Sequence, residues 1–357
     1  MSGGFSGGFS GGFSGGFSSG FGGAASAVAG SAGALTLSRA AIVGPYEGPS
    51  LRVKAPAFND PANLQRWASG PRVLAIGNEL MEGLSIATEA RSLRVELRYA
   101  RQGREAALLT LQGPDEALLK QQLSLVAAYA DLRADRVMEI AEQMGYPLDF
   151  WGSVVGLSSH RHGKTLQLLE VAFGLTASVI QRIKLIFSCT RPVEFSPQIQ
   201  PMIPTPGHGA WPSGHGTEAF VAATLLQALQ DAAVPASSRH AGNGEQSREQ
   251  LQRLAARIAV NRTVAGVHYP VDSAGGRSLG TLLGEFIVAR ATGGKLHPRG
   301  FNAALFREPD GAPKDFSLND PMNHASGHPY TREPRARAVA AAPLLGWLWD
   351  EAVKEWP

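Results

Sequence analysis

Apolar residues recur at the three- and four-residue spacing of amphipathic helices over much of the chain between residues 115 and 291. In the first such stretch they include Leu118, Leu119 and Leu123, and Pro147 ends or interrupts the helix. The pattern predicts helices over residues 115–145 and 165–189, a segment after Pro212, residues 249–265 and 270–291, and a short final helix over 340–353. Alternating patterns typical of strands are sparse. The central region is therefore predicted to be an all-α helical bundle.

The two ends of the chain differ from this region in composition. Residues 2–17 are four copies of Ser-Gly-Gly-Phe, and glycine at this density favours a disordered tail because ordering it costs too much conformational entropy. Regularly spaced phenylalanines in a glycine matrix also fit a self-associating tail. We expect a low-complexity tail and linker over residues 1–44, an N-terminal extension over 45–110, a helical core over 111–295 and a C-terminal extension packing on the core over 296–357.

Charge and composition exclude several classes of partner and location. The net charge of +3 is diffuse and no run of Lys or Arg is present, so we expect no nucleic-acid partner. Cys189 is the only cysteine, which rules out an intramolecular disulfide. No run of about eighteen apolar residues indicates a membrane span. No Lys or Arg precedes Arg39, as a secretory signal would require, so a cytoplasmic location is expected.

The first of three clusters that carry chemistry is a pair of cations. Lys184 and Arg191 lie seven positions apart, which is close to two turns of a helix, so the spacing predicts both on one helix face. Taken alone, an exposed pair would explain this pattern. If the two cations are buried, however, they are costly unless an anion neutralises them.

The second cluster is Pro212-Ser213-Gly214-His215, directly before a predicted helix. Free N–H groups at a helix N-terminus favour an anion through hydrogen bonds and the helix dipole. Gly214 allows the backbone to approach a ligand closely. Ser213 can donate a hydroxyl, and His215 can donate or accept a proton at the bound anion.

The third cluster contains Arg262, His268 and Asp272. Pro270 suits the first turn of a helix, so His268 should lie just ahead of that helix with Asp272 within reach of its ring. A carboxylate on one imidazole nitrogen fixes the tautomer and leaves the other nitrogen as a nucleophile or ligand. Arg262 adds a third cation, with a fork geometry that suits a tetrahedral oxyanion.

In this order the three clusters, over residues 184–272, resemble the superfamily shared by type 2 phosphatidic acid phosphatases, bacterial class A acid phosphatases and vanadium-dependent haloperoxidases. The resemblance implies the helical bundle of that superfamily and an oxyanion cage made of Lys184, Arg191, Ser213, Gly214 and Arg262. The chain departs from the usual pattern at Asn261, where the superfamily usually has Ser.

The resemblance also implies catalytic roles for His215, His268 and Asp272. In a phosphatase His268 would attack phosphorus and form a phosphohistidine, and His215 would protonate the leaving oxygen. In a haloperoxidase His268 would bind the vanadium of a vanadate cofactor, with His215 as acid and base during peroxide binding. A phosphatase of this kind requires no cofactor.

The sequence leaves the choice between these two chemistries open. His208 lies where bromoperoxidases of the superfamily carry a histidine beside vanadate, although an ordinary loop histidine explains it equally well. His268-Tyr269-Pro270 is more similar to the phosphatase branch. The balance leans to haloperoxidase-like oxidation of halide by peroxide, with a soluble phosphatase acting on phosphate esters second. By analogy a homo-oligomer is also expected. A different class is a scaffold acting through its Gly/Phe tail.

Overall fold

The computed structural model of the protein describes residues 32–48, 56–88, 92–145, 147–234, 245–324 and 326–356. The Ser-Gly-Gly-Phe copies, with their predicted disorder, lie outside the described residues. Residues 32–42, within the segment predicted as tail and linker, form an exposed helix, α1.

The rest of the described chain is mostly helical. Its α-helices are α2 (Ser69–Met81), α3 (Glu116–Ala128), α4 (Arg133–Glu142), α5 (Leu148–Val155), α6 (Gly163–Phe187), α7 (Pro192–Phe195), α8 (Gly214–Ala233), α9 (Glu245–Val264), α10 (Pro270–Thr292) and α11 (Pro343–Val353). Short 3-10 helices cover Pro61–Arg66, Tyr129–Leu132, Pro197–Ile199 and Ala303–Leu305. The long helices predicted from apolar spacing are therefore present, although the stretch predicted over 115–145 is two helices joined by a 3-10 turn.

Strands accompany the helices, so the expectation of an all-α fold is too narrow. The strands are β1 (Leu84–Thr88), β2 (Arg94–Arg101), β3 (Arg104–Gln112), β4 (Lys295–Leu296), β5 (Arg299–Asn302), β6 (Tyr330–Arg332) and β7 (Arg337–Ala338). Five of them form one sheet in the order β1-β2-β3-β5-β6, and β4 pairs with β7. The pairs in the larger sheet are antiparallel except for β3 with β5, where Leu111 lies opposite Phe301 in a parallel register. The sheet therefore joins the N-terminal and C-terminal segments.

The centre of the bundle is the pair α8 and α10. A side chain at Gly276 of α10 would bring a Cβ within 3.0 Å of the main-chain oxygen of Ser213, so glycine permits a close approach of the two helices there. The N–H of Ser213 donates to the main-chain oxygen of Asp272 at 3.0 Å. As a result, the N-termini of α8 and α10 lie together at one end of the bundle.

The terminal segments hold the outer helices through two carboxylates. Glu79 of α2 accepts hydrogen bonds from the main-chain N–H groups of Leu344 and Leu345 at 3.1 and 3.0 Å, which caps α11. Glu355 accepts from the N–H groups at the start of α6 at 2.7 and 2.8 Å. These contacts satisfy helix N–H groups that would otherwise lack partners. The domain boundaries predicted from the sequence stay a prediction.

One segment within the described residues, Gly163–Phe195, is long and apolar enough to cross a membrane by length and composition. Half of its most apolar window is buried inside the protein, and core helices of soluble proteins meet the same test. The cytoplasmic location expected from the sequence therefore stays a prediction.

Candidate active site

Several chain segments bring the predicted site residues to the joint N-termini of α8 and α10. The residues that line one cavity of about 530 Å³ at this place are Lys184, His208, Gly214, His215 and His268. The residues buried behind that wall are Arg191, Ser213, Arg262 and Asp272. The three sequence clusters thus form one site.

Lys184 and Arg191 reach this site from different elements. Helix α6 ends at Phe187, Ser188 adopts a left-handed backbone conformation (φ 44°), and Arg191 precedes α7 in an extended conformation, as residues before proline usually do. The prediction that both cations share one helix face is therefore wrong. They meet because Lys184 Nζ and Arg191 Nη2 both donate to the main-chain oxygen of Gly209, at 2.8 and 3.2 Å.

Arg191 also connects the loops that carry two of the histidines. Its Nε donates to the main-chain oxygen of His208 at 3.0 Å, and its Nη2 lies 3.1 Å from Nδ1 of the same residue. Its Nη1 donates to the main-chain oxygen of Val267 at 2.6 Å and lies 3.2 Å from Nε2 of His268. The guanidinium therefore fixes the position of the His268 ring as well as supplying charge.

His268 and Asp272 form the pair that the spacing predicts. His268 Nδ1 lies 2.7 Å from Asp272 Oδ2, which also accepts the Tyr269 N–H at 3.0 Å. Burial lowers the pKa of His268 well below its ordinary value, and the charges of Arg191 and Lys184 lower it further. The geometry assigns the Nδ1–H tautomer to a neutral ring, so the Nε2 lone pair faces Arg191 and the cavity.

The Ser213-Gly214-His215 segment forms the first turn of α8. Ser213 is the N-cap, and its Oγ accepts the Gly216 N–H at 3.2 Å, which leaves its hydroxyl proton for another acceptor. The first N–H groups of α8 favour an anion at the cavity. Burial lowers the pKa of His215 well below its ordinary value, as do the charges of Arg262 and Lys184.

Arg262 is fully buried, and much of its hydrogen-bonding capacity is unused. Its Nη2 donates to Gln143 Oε1 at 3.2 Å and to the main-chain oxygen of Ile140 at 3.3 Å. Its Nε and Nη1 have no hydrogen-bond partner among the described residues. Burial lowers its pKa to about 10, which leaves the guanidinium charged at neutral pH. Donors on two nitrogen atoms of a buried cation are therefore available for a ligand.

Residues 166–292 match the family model of the PAP2 superfamily. This part of the chain is similar to the PAP2 superfamily. The match spans all the predicted site residues, from Lys184 to Asp272. The match confirms the resemblance inferred from the sequence. Members of the superfamily are phosphatases or haloperoxidases, which supports an enzyme at the level of the superfamily.

Two solved structures are similar to the chain at low identity. A bacterial vanadium-dependent iodoperoxidase is 18% identical over 48% of this chain and 48% of its own, with a TM-score of 0.36. This chain therefore spans about half the length of that protein. A transmembrane PAP2-type phosphatidylglycerolphosphate phosphatase from Bacillus subtilis is 16% identical over 64% of this chain and 94% of its own, with a TM-score of 0.28. No curated protein is similar enough in sequence to extend this comparison.

The cavity of this PAP2 region has one wall from outside the matched residues. Helix α2 contributes apolar and small positions, among them Val73, Leu74, Gly77 and Met81, opposite α6. The chain before residue 110 carries no recognisable motif, so the sequence does not predict this wall. Its only sequence signal was the apolar spacing of α2 itself.

Two further residues of the candidate site were also missed. Gln143 lies behind Arg262, where its Oε1 accepts from Arg262 Nη2 and, at 2.9 Å, from Asn261 Nδ2. Asn261, at the position where the superfamily usually has Ser, thus donates to the same Gln143 oxygen as Arg262. Glu218 lines the cavity one helical turn after His215. Because it follows the second cluster on the same predicted helix, its three-residue spacing from His215 predicts that it faces the site.

Proposed function

We propose that this protein is an enzyme that binds a tetrahedral oxyanion between the N-termini of α8 and α10 and hydrolyses phosphate monoesters. One observation carries the proposal. The buried side chains of Lys184, Arg191 and Arg262 converge there, and none of them forms an ion pair with a carboxylate of the described chain. Buried cations that form no ion pair are unfavourable, so this arrangement supports the binding of an anion from outside.

His268 supplies the nucleophile in this proposal. Its Nε2 attacks phosphorus and forms a phosphohistidine, while the Nδ1–H remains bonded to Asp272 and the carboxylate stabilises the positive charge that develops on the ring. Arg191 Nη1, which lies 3.2 Å from Nε2 without a ligand, moves its hydrogen bond to an equatorial oxygen. Lys184 and Arg262 stabilise the charge on the other oxygens.

His215 protonates the leaving oxygen. Without a ligand its ring is neutral because burial and the neighbouring cations lower its pKa. A bound phosphate dianion offsets much of the positive charge of the cage and thereby favours the imidazolium. His215 therefore becomes a proton donor only with substrate in place, and it accepts a proton from water when the phosphohistidine is hydrolysed.

The cavity supports an ester as the substrate. It extends from the histidines along α6 towards Glu170, fourteen residues from Lys184, which corresponds to roughly 21 Å of helix. Its walls from α2 and α6 are largely apolar. A space of this length accommodates an organic leaving group, which halide and peroxide do not need.

Vanadate-dependent oxidation of halide is a second candidate, and His208 is the observation that favours it. His208 lines the cavity beside the cage, where Arg191 contacts its ring. Burial lowers the pKa of His208 to about 4, and the charges of Lys184 and Arg191 contribute to this shift. The cage donors and the unused N–H groups of Arg262 suit vanadate as well as phosphate, because both are tetrahedral oxyanions. His268 Nε2 would bind its metal and Lys184, Arg191 and Arg262 its oxygens. Vanadate, when bound, activates peroxide for halide oxidation.

One pair of assays tests both candidates. Purified protein is assayed for p-nitrophenyl phosphate hydrolysis, and separately for bromide and iodide oxidation by peroxide after loading with vanadate. We expect His268→Ala to lose whichever activity is found, and His160→Ala, at an exposed histidine, to retain it. Activity in neither assay would refute an enzyme of this type. Full activity of His268→Ala would refute the assignment of the nucleophile.

A further inference from the structure

Glu218 is a buried carboxyl group without a role in the steps described above. It is 4% exposed and lines the same cavity as Lys184, His215 and His268. Its Oε2 has no hydrogen-bond partner among the described residues, and Glu218 forms no ion pair with them. Buried polar atoms in native proteins nearly always have a partner, so this carboxyl group points to a missing ligand atom.

The position of Glu218 on α8 directs its side chain towards the oxyanion site. It lies three residues after His215, so the two share one face of the helix. Side chains on a helix incline towards its N-terminus, and the N-terminus of α8 is the end at which Gly214 and His215 line the cavity. Glu218 therefore extends the row of groups that begins with Gly214 and His215.

The surroundings of Glu218 favour its neutral form. Burial raises its pKa well above the ordinary value, and the charge of Lys184 on α6 acts against this shift without overcoming it. An anion bound at the N-terminus of α8 would raise the pKa further. A protonated carboxyl group next to an oxyanion is a hydrogen-bond donor, whereas a carboxylate would repel it.

We propose that Glu218 is a further ligand-contacting residue of the cage, which donates a hydrogen bond from its carboxyl group to an oxygen of the bound phosphate or vanadate. The proposal rests on the proposed function in one respect, namely that the cage binds such an oxyanion. It adds a donor that the three sequence clusters do not contain.

Isothermal titration of the full-length protein with inorganic phosphate at pH 6 tests the proposal. Glu218→Gln keeps the shape and a neutral donor, and we expect its Kd to stay within about threefold of wild type. Glu218→Ala removes the donor, and a hydrogen bond to a charged partner corresponds to a loss of affinity on the order of 10-fold or more. Glu170→Gln is the matched control, because Glu170 lines the far part of the same cavity, and its phosphate affinity should not change.

Thermal unfolding without ligand separates binding from structure. Glu218 Oε2 has no hydrogen-bond partner among the described residues, so Glu218→Ala should unfold within about 4 °C of wild type. Wild-type affinity in Glu218→Ala would overturn the proposal, as would equal weakening in both Glu218 variants. Tighter binding by both would also overturn it, since Glu218 would then be an ionised, repelling group. If the wild type binds neither phosphate nor vanadate, the proposed function itself fails, and Glu218 loses its role with it.

Discussion

Replacing Arg262 with methionine should separate binding from stability. Arg262 is 0% exposed, with two guanidinium nitrogens that donate to no partner in the described protein. In the ligand-free protein these groups cost free energy, and in the complex they bind the oxyanion. Arg262→Met should therefore abolish phosphate binding and yet leave the ligand-free protein as stable as wild type, or more stable.

The magnitude follows from the contacts of this side chain. Each buried donor without a partner costs about 1–3 kcal/mol. The substitution removes two such donors and gives up two long hydrogen bonds, at 3.2 and 3.3 Å, worth about 1 kcal/mol each. Gln143 Oε1 keeps its bond from Asn261 at 2.9 Å. The free energy of unfolding should thus change by between about 0 and +4 kcal/mol, since methionine conserves much of the volume.

Urea unfolding with and without phosphate measures both quantities. Phosphate at 100 times its Kd should stabilise the wild type by about 2.7 kcal/mol, and Arg262→Met by less than about 0.5 kcal/mol. The matched control is Arg290→Met, at a buried arginine whose three hydrogen bonds join Tyr99 Oη and the main-chain oxygens of Ala340 and Glu79 at 2.9, 2.9 and 2.7 Å. The control should lose about 3–5 kcal/mol.

Two results would refute this reasoning about Arg262. A loss of more than about 2 kcal/mol in ligand-free Arg262→Met would mean that the side chain supports the fold as Arg290 does. An unchanged stabilisation by phosphate would mean that its N–H groups do not face the ligand.

Three further outcomes are expected. Asp272→Asn should lower kcat by on the order of 10³–10⁴-fold while phosphate still binds, because an amide no longer fixes the Nδ1–H tautomer of His268; single-turnover kinetics will show whether the chemical step is affected. In the unfolded chain His215 takes up a proton below about pH 6.5, whereas the buried ring of the folded protein does not, because its pKa is lowered. The stability of the wild type should therefore fall relative to that of His215→Gln as the pH drops from 7 to 5, by up to about 1.4 kcal/mol per pH unit. The same pH dependence in both proteins would contradict this. Gly77→Leu should reduce kcat/KM for bulky phosphate esters but not phosphate affinity, because a Cβ there meets open space at the cavity wall; equal turnover of small and bulky esters would contradict it.

The site was predictable where its chemistry depends on local spacing. His268 and Asp272 flank the first turn of α10, so the four-residue separation alone places their side chains together. Ser213 caps α8 directly after a proline, and that pattern also predicts a helix start. In both cases a short stretch of backbone decides the geometry.

The contacts of Arg191 and Arg262 were not predictable in the same way. A helix continued from α6 to Arg191 would place Arg191 beside Lys184, and the two residues are indeed neighbours. They are not on one helix, however, because the left-handed Ser188 ends α6 before Arg191. Arg262 donates one hydrogen bond to Gln143, which lies 119 residues earlier in the chain, and contacts of this kind decide which of its donors stay unused. Spacing cannot report contacts of that sequence separation.

The strands were missed although part of their signal is local. In β2 the residues Val95, Leu97 and Tyr99 alternate with more exposed positions, which is the two-residue period of a half-buried strand. Gln102 and Gly103, with φ of 50° and 74°, turn the chain directly into β3, as in a two-residue hairpin. Pairing of β3 with β5 joins residues almost two hundred positions apart, and no local pattern specifies it.

The division between matched and unmatched residues suggests where reaction and specificity reside. All groups proposed to contact the oxyanion lie within residues 166–292, so in the proposed function this segment supplies the chemistry at phosphorus or vanadium. The space beside it is closed by α2, which Glu79 and Arg290 tie to α11 and α10. A wall held by α10 and α11 is rigid enough to select leaving groups by shape. We therefore expect substitutions in α2 to alter which phosphate ester is hydrolysed. Substitutions in the cage should instead abolish hydrolysis of every ester.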